Sequence, residues 1–255
     1  MPIAGNRKIT TGGSASLIQK FRSGASTVLW LPGQTDAYSS TIKDWSGNAN
    51  HGTISGATWT RLPRGLWCLT FDGVDDIVTI TDAASLQSIF VAGGTIAMWV
   101  NRTSGGGLKY ARICEKTDDV EDNTGWSFYG EGVQTGTYGI NWIHGFSTSR
   151  GRWNTTNSIC TFDKWEFVGV TYSSALTTND PIFYLNGVAQ AVTEGETPVG
   201  TQATSAGKNL IFAEFPYDHS AEWKGSWILA YLEKRIWSAS EFLNIFNRTR
   251  HLFGV

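Results

Sequence analysis

No run in the 255 residues approaches the roughly 18–20 consecutive apolar side chains that cross a bilayer, so no membrane partner is expected. The opening Met1-Pro2-Ile3-Ala4-Gly5-Asn6-Arg7-Lys8 is not followed by the apolar stretch of a secretion signal, which predicts a protein made without an export address. Cysteine is scarce and odd in number. Cys68, Cys114 and Cys160 are widely spaced in strand-like surroundings and predict buried thiols, not a disulfide framework or a zinc site. Charged residues make up only 16% of the chain and the net charge is −2, so the Lys/Arg excess that neutralises phosphates is missing and nucleic acid is not an expected partner. Also missing are a G-x-S-x-G elbow, a phosphate-binding G-x-x-x-x-G-K-[ST] loop and an H-E-x-x-H metal motif, while His51, His144, His219 and His251 are scattered.

What is abundant is glycine, at 29 residues, and tryptophan, at 12. β-Branched and aromatic residues recur in short runs between Gly, Asn, Asp and Ser clusters, the pattern of an all-β chain. A single domain of this length buries roughly 70–75% of the surface of its unfolded chain. In Phe71-Asp72-Gly73-Val74-Asp75-Asp76-Ile77-Val78-Thr79-Ile80 a turn-forming core sits between an apolar lead-in and a period-two strand, and so joins two strands of a sandwich. Asp44-Trp45-Ser46-Gly47-Asn48-Ala49-Asn50-His51-Gly52-Thr53 is a second turn motif.

These two motifs, with Thr95–Asn101, Trp165–Tyr172, the Phe183–Gly187 hairpin and Trp223–Ser238 following in order, resemble the laminin-G-like jelly-roll branch of the concanavalin A-like lectin/glucanase superfamily. The resemblance covers residues 27–246. It implies a concanavalin A-like β-sandwich of two antiparallel sheets, with a short helix at the C-terminus. The chain accordingly divides into an extended N-terminal arm (1–26), the sandwich (27–238) and a capped helix with its tail (239–255). In the helix, Ser238-Ala239-Ser240-Glu241 reads as a capping box. The tail from Asn247 to Val255 resembles those on copies of this domain in phage and prophage structural genes.

Tryptophan faces stack on sugar rings, so the Trp count invites a carbohydrate-binding reading. Trp99, Trp126, Trp142, Trp165 and Trp227 fall in alternating strand patterns and are expected in the core. Trp153 instead sits in what reads as a polar loop between Arg150, Arg152 and Asn154, and with Tyr217 and His219 it forms the candidate glycan contact. Calcium is a cofactor the resemblance implies for many members, but here Ile228 and Leu229 occupy the acidic positions. Asp44 and Asp82 are the remaining candidates, and Asp72, Asp75 and Asp76 have a sufficient role in their turn. The glucanase branch works with two carboxylates on one strand, and no Glu here is followed two residues later by Asp. The acidic run Glu115–Asp122 reads as a solvated loop.

The expected function is a non-catalytic structural or surface-display protein of a phage virion, a capsid decoration or a tail component. The arm, through Arg7, Lys8, Ile18, Lys20, Phe21 and Arg22, would anchor it to other virion proteins in a homo-oligomer, and a cell-surface glycan is a further partner. A lectin-like adhesion module is the alternative, and a glycoside hydrolase the least favoured.

Overall fold

The computed structural model describes residues 24–33, 39–105, 109–118, 123–132, 136–215 and 221–255. The chain enters as β1 (Thr27–Leu31), passes the Asp44 turn between β2 (Thr41–Ile42) and β3 (Gly52–Ser55), and continues as β4 (Thr58–Arg61), β5 (Trp67–Asp72) and β6 (Ile77–Ile80). Next come β7 (Gly94–Arg102), β8 (Tyr110–Lys116), β9 (Trp126–Glu131), β10 (Thr137–His144), β11 (Gly151–Thr155) and β12 (Cys160–Thr161). The last third holds β13 (Glu166–Tyr172), β14 (Ile182–Leu185), β15 (Val188–Ala189), β16 (Val192–Glu196), β17 (Leu210–Phe212) and β18 (Lys224–Glu233), before helix α1 (Ala239–Thr249).

These strands form two antiparallel sheets, as expected from the sequence. One has eight strands, in the order β15-β14-β13-β7-β18-β5-β4 with β1 also on β18; the other has ten, in the order β16-β11-β10-β9-β8-β17-β6-β3-β2 with β12 on β10. The Asp72–Asp76 turn carries the chain from one sheet to the other. Asp76 accepts from the Asp72 N–H at 2.7 Å, and Asp72 from the Val74 N–H at 2.8 Å. The Asn186–Gly187 turn has φ of 51° and 84°, the two positive values a tight two-residue hairpin needs.

Period-two alternation decides which side chains meet. Across the ten-stranded sheet, Trp153, Trp142, Phe128, Cys114, Phe212 and Val78 lie opposite one another on successive strands, and all are buried in the main core. The eight-stranded sheet meets them with Ile96, Met98, Val100, Val168 and Val170. Its other face carries Trp99, Ala97, Phe167, Tyr184 and Tyr231, and α1 covers that face. The Phe242 ring stacks on Tyr184 at 3.9 Å, Phe253 stacks on Trp99 at 4.1 Å, and the Trp99 indole N–H donates to Thr249 Oγ1 at 2.9 Å. The helix starts at the capping box: Ser238 Oγ accepts from Glu241 N, and the Glu241 carboxylate accepts from Ser238 N at 2.8 Å. Among the described residues no helix is long and apolar enough to cross a membrane.

All three cysteines are free and buried. The segment around Trp153, expected as a polar loop, instead forms β11, because its even-numbered polar residues alternate with buried odd ones. The acidic run is corrected in the same way at its start. Glu115 and Lys116 belong to β8 and are fully buried, with Lys116 turned inward to Asp82 and Glu115 paired with Arg112; residues 119–122 lie outside the described residues.

Two buried titratable groups sit between the sheets. Burial pushes His144, packed against Phe90, Trp142, Phe146 and Tyr172, down to about 3. Burial pushes Glu166 up to about 7, although its carboxylate accepts from the Thr161 N–H and Lys164 is nearby.

Two outcomes follow from this packing. A Cβ on Gly169 would come within 2.3 Å of the Phe242 ring and 2.8 Å of the Ile96 carbonyl. Gly169→Ala is therefore expected to lower stability by about 1–3 kcal/mol, read as the denaturant midpoint, by lifting α1 from the sheet. The second concerns pH. As pH rises from about 3 to 6.5, the unfolded chain sheds the proton that folded His144 never binds, so this group makes stability rise with pH. Between about 4.5 and 7 folded Glu166 keeps a proton the unfolded chain has released, so this group makes stability fall with rising pH. The two oppose each other where the windows overlap. Thermal midpoints from pH 4.5 to 6.5 should rise more steeply in Glu166→Gln than in the parent and fall in His144→Phe; three superimposable profiles would show that neither group is displaced.

Candidate functional site

The sandwich has two outer faces, and α1 occupies one of them. The outer face of the ten-stranded sheet is the other. Its side chains are the alternates of the aromatic inner row, and the strand register places them in two lines. Arg152, Ile143, Ser127, Glu115, Ile211, Thr79 and Thr53 lie opposite one another in turn from β11 to β3. A second line runs Asn154, Asn141, Tyr129 and Arg112. This face mixes amide, hydroxyl, guanidinium and aromatic groups, where the inner face is almost wholly apolar.

Arg112 organises the middle. Its guanidinium lies over the Tyr129 ring at 5.0 Å and the Phe215 ring at 4.9 Å, and its Nε donates to Glu115 Oε2 at 2.8 Å. Ser127 Oγ donates to the same oxygen at 3.2 Å. Arg112 and Glu115 share a face despite being three residues apart because a register shift between Arg112 and Cys114 inserts an extra residue into β8.

At the β11 end the sequence-predicted residues part company. Arg150 and Arg152 come together around Glu196, with Nε to carboxylate distances of 2.8 and 3.2 Å. The Arg150 hydrogen bond and the two positive charges hold the Glu196 carboxyl below its ordinary range. Trp153 is not with them. It is buried on the opposite side of the strand, beside Tyr172, with its indole N–H donating to Asp180 Oδ1 at 2.8 Å, so it is a core residue and not an exposed platform. Tyr217 and His219, and Arg7, Lys8, Ile18, Lys20, Phe21 and Arg22 of the arm, lie outside the described residues. Of the 12 tryptophans the one that is exposed is Trp45, in the Asp44 turn. Its position inside a turn motif with a structural role hid it from the sequence reading.

At the other end of the face, between β6 and β17, a groove of 450 Å³ opens over Ile77, Thr79 and Ile211, with Thr117, Asp118, Gly207 and Asn209 around it. Asp82 fixes the loop on its rim. It accepts from Lys116 Nζ at 2.6 Å, Gln87 Nε2 at 2.7 Å and Gly207 N at 2.7 Å, and its own N–H donates to Asn209 Oδ1 at 3.1 Å. Burial alone would raise this carboxyl, but the Lys116 hydrogen bond and its companions hold it below the ordinary range.

Asp82 is therefore engaged by hydrogen-bond donors, and so is Asp44, whose oxygens accept from Trp30 N, Ser46 N, Ser46 Oγ and Asn50 N at 2.7–3.0 Å. Ile228 and Leu229, at the positions where the resembled family carries acids, are buried under α1. Neither place fits a calcium ion. Asp72, Asp75 and Asp76 do bring carboxylate oxygens within 4.8 Å of one another, spacing that could hold a cation, while the turn hydrogen bonds already engage Asp72 and Asp76. Burial, and then the charges of Asp72 and Asp75, push Asp76 upward against the hydrogen bond from Asp72 N–H.

No family model matches the chain, and no curated protein matches it. Its fold does match solved structures. The binding domain of Paraclostridial Mosquitocidal Protein 1 is similar at TM-score 0.64 and 14% identity over 91% of this chain and 52% of that one. The binding domain of botulinum neurotoxin DC in complex with SialylT gives 0.59 and 17% over 88% and 51%. A botulinum neurotoxin type C structure, described as entering cells in dependence on two ganglioside molecules, gives 0.58 and 17% over 92% and 52%. The chain thus spans about half the length of each of these structures, and what it shares with them is the β-sandwich fold.

Proposed function

We propose that this chain is a non-catalytic, carbohydrate-binding adhesion module whose contact surface is the outer face of the ten-stranded sheet. The observation that carries the reading is the asymmetry of the two outer faces. The helix fills one; on the other, half-buried Arg152 and Asn154 stand in register with the buried Asn141, Tyr129 and Ser127, beside an open groove. Sugar hydroxyls each donate and accept, so fixed amide, hydroxyl and guanidinium groups on a rigid sheet suit them. Neighbouring folds found in a complex with SialylT and in a toxin that depends on gangliosides support the same reading. The absence of any E-x-D spacing in the sequence argues against the glucanase route.

The finer reading concerns the setting. The module is a surface-display part of a phage virion, a capsid decoration or tail component, with residues 1–26 as its attachment to neighbouring subunits; the resemblance of the tail after Asn247 to phage structural genes supports it.

Glycan-array binding tests the function. The parent chain should bind at least one class of oligosaccharide, and Arg152→Ala with Asn154→Ala should weaken it about tenfold, the effect of losing roughly 1.4 kcal/mol of hydrogen bonding. Trp153→Phe, within the core, should change stability and leave specificity alone. A flat array overturns the adhesion reading, and binding that is lost instead through Val188 or Leu243 on the helix side moves the surface. For the setting, residues 1–26 should resist protease in purified particles and be cut in the free protein; equal protection in both would remove the attachment role.

A further inference from the structure

We infer that the groove between β6 and β17 is the seat of a single neutral pyranose ring, the specificity-determining end of the contact face; this rests on the carbohydrate reading above. The floor is apolar. Ile77 and Thr79 are successive outward residues of β6, and Ile211 lies directly opposite Thr79 on β17, so half-buried Ile77, with the small exposed edge of Ile211 beside it, presents C–H surface where the apolar face of a ring would pack. The volume of 450 Å³ lies within the roughly 300–1,000 Å³ of small-ligand sites.

The rim supplies polar groups of known sense. Asn209 Oδ1 is engaged by the Asp82 N–H, which leaves the Asn209 Nδ2 amide as a donor toward a ligand. Asp118 supplies a carboxylate acceptor, and Thr79 a hydroxyl that does either. A donor and an acceptor set on opposite strands match adjacent ring hydroxyls, each of which gives one proton and receives another. Charge then decides the class. Lys208 is paired with Asp118 and Lys116 with Asp82, so the cations near the groove are already neutralised. A carboxylate-bearing sugar would meet Asp118 without a spare cation, and a cationic sugar would have to displace Lys208. A neutral ring meets neither obstacle.

The rim is also built before any ligand arrives. Asp82 ties the loop before β17 to β8 through Lys116 and to Gln87, with three donors and one backbone N–H on a single residue. A rim already fixed loses little further freedom on binding.

Titration calorimetry and amide chemical shifts test this on the whole chain, using methyl β-D-galactopyranoside, methyl α-D-glucopyranoside and N-acetylneuraminic acid as probes. At least one neutral glycoside should bind, with the largest shifts at Thr79, Asn209 and Ile211, and N-acetylneuraminic acid should bind at least fivefold more weakly, the order expected of one unpaired charge at an open site. Asn209→Ala and Thr79→Val should each weaken the neutral glycoside about fivefold to tenfold, as the loss of one hydrogen bond does. Both positions are at the surface of the groove, and an unchanged thermal midpoint confirms that the variants fold. If the glycan array is positive yet these variants bind normally, or the shifts gather at Arg152 and Asn154 alone, the groove assignment falls and the adhesion reading stands. Preferential binding of N-acetylneuraminic acid overturns the neutral class. A flat array together with no shift in any titration removes both.

Discussion

Two sheets have four faces, and apolar packing closes three of them, while on the fourth the polar Arg112, Glu115, Ser127 and Asn141 are buried as well. The inner pair closes on the row running from Trp153 to Val78, and the third is closed by Phe242 and Phe246 of α1 together with Phe253 of the tail, against Trp99, Phe167 and Tyr184. That third closure is the constraint on which the molecule's surface depends. It is apolar, it is fastened by the Trp99–Thr249 hydrogen bond, and it leaves no room even for a methyl group at Gly169. Because a strand presents alternate residues to opposite sides, every aromatic committed to the interior from β8 to β11 leaves a polar partner on the fourth face. The outer side of the ten-stranded sheet is thus the complement of the core.

The same alternation shows how much could be read beforehand. The turn of Phe71–Ile80, the strand Thr95–Asn101 and the Asn186–Gly187 hairpin were legible because each is a local signal, a turn residue beside a period-two run. The capping box was legible because its two hydrogen bonds span three residues. Trp153 was misplaced by composition: Arg150, Arg152 and Asn154 made the segment look like a polar loop, while Gly151, Trp153 and Thr155 between them follow strict alternation and are all buried. Weighting the period over the polarity would have placed the indole inside. Arg112 and Glu115 lay beyond such reasoning, since the bulge between Arg112 and Cys114 resets the period in the middle of β8. The groove was hidden for another reason, as its lining comes from segments as far apart in sequence as Ile77 and Ile211 and only the sheet order joins them.

Carboxylates in this structure take on work that in other sandwiches could fall to an ion. Asp44 gathers Trp30, Ser46 and Asn50 around one side chain and so ties the turn after β2 to β1 of the other sheet. Asp82 gathers Lys116, Gln87 and Gly207 and ties β8 to the loop before β17. A calcium ion fixes loops by drawing several oxygens to one point; each of these aspartates fixes its loops by drawing several N–H and O–H donors to one point. The sign of the hub is reversed and the mechanical result is the same. Apolar Ile228 and Leu229 can then be spared for packing under α1, at positions where the resembled family carries acids.

That reversal bears on specificity. A cation at a binding face draws in ligand oxygens directly and favours anionic ligands, whereas an aspartate hub spends its negative charge inward, on donors of its own chain, and leaves the outer groups nearly neutral. Around the β6–β17 groove this leaves Asn209 with a donor to offer because its acceptor is consumed, and leaves Lys208 bound to Asp118. Discrimination on such a surface rests on shape and on the sense of individual hydrogen bonds, and both are set by rigid strands whose reverse sides are locked into the aromatic core. On the adhesion reading proposed above, loosening the core would therefore cost selectivity before it cost the fold, because the groups proposed to read a ligand are the alternate residues of the very strands that the core holds in place.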